Sequence, residues 1–571
     1  MHTDASAQAG STGELAPHPP GRRLRVGLLV DSLMQPRWVR DIVADIQRSS
    51  YATVALIIEN GAPDQPEKGF ARRLLKNRKR IAYALYTRID ERLFRREPDA
   101  FTADSIAPLV EGVPVLRVTP IKKKFSDYFT PEDVQRVRDH DLDVVLRFGF
   151  RILRGESLKI ARHGVWSYHH GDNLVNRGSP PGFWEVMLGE PATGTVLQVL
   201  TDDLDNGRVI YRSHAPTDTR SVHRNKDNFY RKAAAFVPRK LKELAEVGPQ
   251  ALECDPFAAS FTPYPRPLYR EPENLEMLAC GLKLAGRYVA DKTRDRFYRD
   301  QWAVAYRLHP GADGPDPSFN RFKLLLPPKD RFWADPFPVT RGDRHYVFVE
   351  ELMFRTNKGH IAVLELDQRG ALQRTGVVLD KPYHLSYPFL FDWRGERFMI
   401  PETGDNRTIE VYRARTFPDE WELEQVLMER IFAVDATLLE LDGIWWMFAT
   451  VAPAGVVNTD ELCIFKSASP FGPWCAHRAN PVKSDARCAR PAGRFFRWGG
   501  DLYRPSQDCS GRYGAATVIN RVDALNDREY RETAVARIEP RWAPRLLGTH
   551  TLNSAPGITV SDALVRRWRL G

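Results

Sequence analysis

Apolar residues first gather in short runs. RVGLLV (25–30) ends at Asp31-Ser32, and TVALII (53–58) follows it after WVRDIVADIQ, whose apolar residues recur at helical spacing. Strand, helix, strand predicts an α/β sheet. Ile81, Leu85, Ile89 and Leu93 recur every four residues with Arg and Lys between them, which predicts an amphipathic helix. VPVLR (113–117) and DLDVVLRFGF (141–150) read as further strands. Thr130 before Pro131, Glu132 and Asp133 reads as a capped helix start, with a hydroxyl, a first-turn proline and acids at the positive helix end. The pattern predicts a polar tail over 1–22, an α/β domain over 23–225 and a helical connecting region over 226–296.

From about residue 297 aromatic and β-branched residues alternate around short turns. Four hairpin-like units recur: FPVTRGDRHYVFVEE, PFLFDWRGERFMIPE, ATLLELDGIWWMFAT and GRFFRWGGDLYRPSQ. Their turn glycines, Gly342, Gly395, Gly443 and Gly499, are 53, 48 and 56 residues apart. A small sheet cannot bury both its faces alone, so a repeat of about 50 residues reads as propeller blades. Residues 297–571 hold five such periods, and the fifth blade is expected to combine WAVAYRL with a C-terminal strand. The expected fold is therefore multidomain, an α/β Rossmann-like domain followed by an all-β five-bladed propeller, with a β-sandwich as the competing architecture for the second part.

Length and composition narrow the classes. The chain has 571 residues, 43% hydrophobic and 27% charged, which is globular usage and too long for one core. No apolar run is long enough to span a bilayer. The N-terminus lacks a basic start followed by an apolar stretch, and the six cysteines are scattered without zinc spacing, so a cytoplasmic protein without a structural metal is expected. The turn after the first strand, DSLMQP, carries neither a dinucleotide fingerprint nor a P-loop. The net charge of +10 is concentrated, because residues 68–97 hold eleven Lys/Arg against three Asp/Glu. No nucleic-acid module accompanies that segment, so nucleic acid is not the expected partner. It reads as a solvated face or as a dock for acidic membrane, extended by Lys122, Lys123 and Lys124.

The densest polar cluster, GVWSYHHGDNLVNRGSPPGFWEVMLGEPATGTVLQVLTDDLDNGRVI (164–210), follows the DVVLRFGF strand. Ser167, His169, His170 and Asp172 fall at a strand end, where open α/β sheets place their sites. Metal binding by His169, His170 and Asp172 is disfavoured, since adjacent residues on a strand point in opposite directions. The stretch resembles the formyltransferase family that uses formyl-tetrahydrofolate. The residues that carry the likeness are His169, Arg177, Gly178, Pro181, Trp184, Gly189, Glu190, Thr193, Gly194, Leu204, Asp205 and Gly207, matched without a gap. The resemblance implies formyl transfer to an amine, with His169 as acid–base or oxyanion group and Asp205 as its partner. The family's Asn is replaced here by Ser167, with His170 or Asn173 as candidates to compensate.

In the β-rich part, Asp335, Tyr387, Asp435 and Arg490 occupy similar places in successive repeats, each at the first strand of a hairpin. First strands line a propeller axis, so these residues are expected to converge, joined by Glu402, Arg504, Gln507, Asp508 and His550. Acids beside arginines suit a sugar or sugar phosphate. Thr437, Ser506 and Asn553 read as blade hydrogen-bonding groups, and Trp445 and Trp446 as packing. The order WADPF, YPF, PE, D-x-T, RPAGR, RP-x-QDC and HTLN resembles the propeller region of glucosamine inositolphosphorylceramide transferases and their bacterial relatives. More distantly it resembles five-bladed furanosidases, in which Asp335 would match the base and Asp435 the carboxylate that tunes the acid; their Glu-Gly-Pro acid motif is absent. Together the resemblances imply a formyltransferase acting on the amino group of a sugar, as nucleotide or glycan, for cell-surface polysaccharide. The alternatives are a propeller-based glycosyltransferase or glycoside hydrolase with a degenerate α/β domain, and a non-catalytic glycan-binding scaffold.

Overall fold

The computed structural model describes residues 22–62, 78–202, 207–253, 264–310, 314–452 and 460–569. The chain divides into two compact units, one of Met1–Trp184, Gly194–Ser213 and Ser221–Met277, the other of Glu185–Thr193, His214–Arg220 and Leu278–Gly571.

The first unit is built on a seven-stranded sheet. Its order is Arg208–Pro216, Ala192–Val199, Val165–His169, Val144–Arg147, Leu24–Val30, Ala52–Asn60, Val115–Val118. Leu24–Val30 runs parallel to Ala52–Asn60 and to Val144–Arg147, and Val165–His169 parallel to Val144–Arg147. Ala192–Val199 is antiparallel to Val165–His169. The central strands are continuous apolar runs because both faces are covered: Leu28, Leu29 and Val30 are fully buried. Helix Arg37–Arg48 supplies Val39, Ile42, Val43 and Ile46 to that covering. Helix Phe236–Val247 supplies Phe236, Val237, Leu241 and Leu244 to the same core. The α/β core thus continues past residue 225, because the change near 226 is from strands to covering helices rather than the edge of a domain. The Thr130 hydroxyl accepts from the Asp133 amide at 3.1 Å, as its capping pattern predicts.

Helix Ile81–Phe94 turns its aliphatic stripe outward. Ile81, Leu85, Ile89 and Leu93 are 49%, 57%, 49% and 69% exposed. The opposite face is aromatic, and Tyr83 and Tyr86 meet the Phe183 ring edge-on at 5.4 and 6.3 Å. Rings bury more area per residue than Leu or Ile, so the aromatic face takes the contact with the body of the unit.

Among the described residues the second unit holds five small sheets: Arg331–Leu379, Ser386–Glu429, Ala433–Ser484 and Phe496–Ile538 supply four, and the fifth joins the two ends of the region. In the fifth, Tyr298–Leu308 pairs antiparallel with Ile558–Trp568 from Tyr298 opposite Trp568 to Leu308 opposite Ile558. The expected pairing of WAVAYRL with a C-terminal strand is therefore present. The hairpins close through two-residue turns with left-handed backbone, such as Arg394-Gly395 (φ 51° and 82°) and Asp442-Gly443 (φ 52° and 76°). That geometry matches strand twist and explains the periodic glycines. Among the described residues no helix is long and apolar enough to cross a membrane.

Candidate functional sites

In the α/β unit, strand Val165–His169 carries Ser167 and His169 to one face of the sheet, since the two are separated by one strand period. Their cross-strand partners are Gln198 and Val196. His169 lines a small cleft of about 80 Å³ together with Arg147, Arg154, Tyr168, Gln198 and Gly207, with Ile152, Leu153 and Leu200 as apolar wall. The His169 Nε2 lies 3.1 Å from the Asn176 carbonyl oxygen. A carbonyl only accepts, so Nε2 carries the proton and Nδ1 keeps the lone pair.

Ser167 is buried and fully used. Its Oγ accepts from Arg147 Nε at 3.1 Å and faces the Tyr168 carbonyl oxygen at 3.3 Å. The two candidates for compensation lie elsewhere. His170 stacks on Tyr230 at 3.6 Å between ring centroids and on Tyr168 at 5.4 Å, with Trp38 edge-on. Burial, then His169 and Lys226, push its imidazole well below the usual histidine range. Neutral and boxed by rings, it packs the core because its side chain alternates away from His169. Asn173 is held by Arg212 Nη2 at 3.2 Å, beside the Arg212–Asp172 ion pair. Gly194 is required there, since a Cβ would fall 2.5 Å from the Asp172 Cβ. Asp205 lies outside the described residues.

Gln198 was not anticipated. The available signal was a lone polar residue inside the apolar run TVLQVL.

In the all-β unit, Asp335, Tyr387 and Asp435 each sit at a one-residue bulge in the first strand of a sheet. The register slips between Ala334 and Phe337, Ser386 and Phe389, and Val434 and Thr437. All three have left-handed backbone, with φ of 50°, 44° and 57°. For non-glycine residues this costs on the order of 1–3 kcal/mol each, and three equivalent outliers at equivalent positions are a built feature.

The bulges bring the side chains into one buried network. Arg490 Nη2 donates to Asp435 Oδ1 at 3.2 Å, and its Nε binds the other carboxylate oxygen at 2.5 Å. Gln507 Nε2 donates to the same Asp435 oxygen at 2.9 Å. Glu402 Oε2 is 3.6 Å from Arg490, buried and without a hydrogen bond. The Tyr387 hydroxyl accepts from the Gly493 amide at 2.7 Å and contacts Thr437 Oγ1 at 2.8 Å. His550 lies 2.7 Å from Asp562 and 3.3 Å from Asp335, whose Oδ1 also accepts from Thr551 Oγ1 at 2.8 Å.

The charges shape one another. Burial raises Asp335 to about 7 against the pull of His550, with Asp435 and Glu350 adding to the rise. Burial opposes the charge on His550, but Asp562 and Asp335 outweigh it and raise it to about 9. Burial, then Asp435, holds the Glu402 carboxyl well above the carboxylate range. Asp335, His550 and Asp562 also bring ligand-type atoms within 4.8 Å. Asp562 Oδ1 already accepts the His550 and Thr551 amides at 2.7 and 3.2 Å. The group is therefore a buried, charge-paired triad.

Two expected members stand apart. Along Asp501–Asp508 alternate side chains face opposite ways, so Gln507 joins the network while Arg504 and Asp508 point away from it. Arg504 pairs with Glu532 at 2.7 Å and Asp508 with Arg537, both partners lying on strand Tyr530–Ile538. Glu350 and Asp562 escaped sequence reasoning. Glu350 repeats the position of Glu402, opposite the bulged strand of its own hairpin, and Asp562 is the one acid in the apolar run ITVSDALV. A recess of about 530 Å³ lies elsewhere on this unit, lined by Phe496, Arg497, Trp498 and Ser554 among others and by none of the expected sugar-binding residues.

Comparison with known proteins supports both halves of the expectation. Residues 327–541 match the family described as glucosamine inositolphosphorylceramide transferase 1, N-terminal. A glucosamine inositolphosphorylceramide transferase 1 from Oryza sativa subsp. japonica is 41% identical over 208 residues, 36% of this chain and 28% of that protein. A methionyl-tRNA formyltransferase from Parabacteroides distasonis is 28% identical over 159 residues, 27% of this chain and 47% of that protein. The N-terminal α/β region is thus formyltransferase-like. The chain spans less than a third of the length of the rice relative and under half of the bacterial one. Among solved structures, the family 117 glycoside hydrolase Zg3597 of Zobellia galactanivorans aligns with a TM-score of 0.31 at 11% identity, over 46% of this chain and 90% of that one.

Proposed function

We propose that the chain transfers a formyl group from formyl-tetrahydrofolate to the amino group of a sugar, as nucleotide or glycan, for cell-surface polysaccharide. The observation that carries this reading is the His169 cleft at the end of the parallel strands, with the histidine proton fixed on Nε2 by the Asn176 carbonyl. The amine nitrogen bonds to the formyl carbon as the bond from that carbon to the donor nitrogen breaks. The amine's proton passes to His169 Nδ1 and returns to the donor nitrogen, so no oxidant or reductant is needed. Similarity to methionyl-tRNA formyltransferases supports the donor. The test is incubation with formyl-tetrahydrofolate and a panel of nucleotide-linked amino sugars, read by mass spectrometry. N-formyl sugar is expected, and its absence across the panel would sink the reading.

A second reading places glycosyl transfer or hydrolysis in the all-β unit. It is favoured by Glu402, a buried carboxyl that burial and then Asp435 hold well above the carboxylate range. Similarity to a family named for transfer to inositolphosphorylceramide supports it too. It requires Asp335→Asn to abolish turnover while His169→Ala does not. The exposed stripe Ile81, Leu85, Ile89 and Leu93, interleaved with exposed Arg88, Arg92 and Arg96, supports attachment to an anionic lipid surface under either reading.

A further inference from the structure

The cleft beside His169 contains a buried amide whose oxygen has no hydrogen-bond partner among the described residues. Gln198 is only 5% exposed, and its Oε1 is buried without a hydrogen-bond partner. An unsatisfied buried amide oxygen costs about 1–3 kcal/mol, so its retention calls for a partner that arrives from outside. Gln198 lines the cleft together with His169. It stands directly opposite Ser167 across the antiparallel pair, where facing side chains are about 5 Å apart. Gly207 makes the room, since a Cβ there would come within 2.9 Å of the amide oxygen.

We infer that the Gln198 carboxamide is the hydrogen-bond donor to the formyl oxygen, a catalytic role that Ser167 does not fill. The inference rests on the formyl-transfer reading. Negative charge grows on that oxygen as the amine bonds to the carbon, so a donor aimed at it lowers the barrier. Ser167 is spent on Arg147 and on the Tyr168 carbonyl. The carboxamide carries two N–H donors on one end and an acceptor on the other, and a half-turn about its last torsion exchanges them. With that half-turn the N–H end takes the place of the unpaired oxygen and can donate to the formyl oxygen. His169 remains free to handle the amine proton, so the two tasks fall to two side chains on neighbouring strands.

The test uses the full chain with formyl-tetrahydrofolate and the amino sugar that the wild type formylates. Gln198→Met keeps the volume and removes both polar ends. It is expected to lose about 100–1000-fold in kcat. Tetrahydrofolate, which lacks the formyl group, should bind within about twofold of wild type by calorimetry, and the melting temperature should hold. Gln198→Glu should fall below Gln198→Met, because it sets a carboxylate against the developing charge. A merely structural role would not produce that order. Wild-type transfer with Gln198→Met within about threefold of it would overturn the inference alone. So would a loss matched by equal loss of tetrahydrofolate binding, or Gln198→Glu equal to or above Gln198→Met. A wild type that forms no N-formyl product removes the underlying reading and the inference with it.

Discussion

The two units treat their polar groups in opposite ways. The all-β unit binds its charges to one another: Asp435 to Arg490 and Gln507, His550 to Asp562 and Asp335, Tyr387 to Gly493. The α/β unit leaves groups unspent, with an unpaired amide at Gln198 and an aliphatic stripe facing water on helix Ile81–Phe94. A charge-paired network resists change and holds a shape, with Glu402 Oε2 as the member left without a hydrogen bond. Unspent groups cost stability and are retained where something else completes them. Under the proposed reading, group transfer and surface attachment belong to the first unit and a charge-tuned centre to the second.

The largest effects should separate the two units by kind. His169→Ala is expected to lower formyl transfer by about 100–10,000-fold, the usual range for a positioned acid–base group, with little change in unfolding. Arg490→Ala should do the reverse. It strands Asp435 without its cation at a site where both are buried. Denaturant titration should show a loss of about 3–5 kcal/mol in the second unit's transition. If Arg490→Ala leaves that transition unmoved, the network is not what holds the unit.

A smaller effect tests the charge-tuning directly. Asp335 is raised to about 7 and His550 to about 9, so both bind protons more tightly folded than unfolded. The stability contributed by such groups is complete below their unfolded values and is lost as pH rises through the folded ones. Melting temperature should therefore decline from about pH 4 to 7 through Asp335 and from about 6.5 to 9 through His550. Asp335→Asn should flatten the lower window and shrink the upper one, because Asp335 is the second support of the His550 charge. An unchanged profile in the variant would show that the triad does not titrate as a unit.

How much of this was legible in sequence depends on whether the signal was periodic. The turn glycines and alternating strands announced the five sheets, and the joining of Tyr298–Leu308 to Ile558–Trp568 followed from the count of repeats. The meeting of Asp435 with Arg490 and the shared bulge position of Asp335, Tyr387 and Asp435 were legible because these residues sit at fixed places in a repeat. Arg504 and Asp508 were misplaced because a strand's parity decides which side chains turn inward, and residue type does not reveal it. Ser167 showed its identity but not its partners, which come from Arg147 on the adjacent strand.

The weakest expected effect concerns the stripe that sequence periodicity found and packing then turned outward. A helix whose aromatic face holds it to its own unit has its aliphatic face available, and exposed Arg88, Arg92 and Arg96 select an acidic surface for it. Each basic residue near such a surface contributes about 1 kcal/mol, and the effect fades over a Debye length of about 8–10 Å. The protein should therefore sediment with vesicles containing phosphatidylserine at low salt and be released by about 0.5 M salt. Leu85→Ser with Ile89→Ser should weaken binding without shifting the melting temperature, since neither side chain is packed against the unit. Equal binding to neutral vesicles would exclude the arginines as the selector. No binding to either kind would leave the stripe as exposed surface, and the contrast between the units would then rest on Gln198.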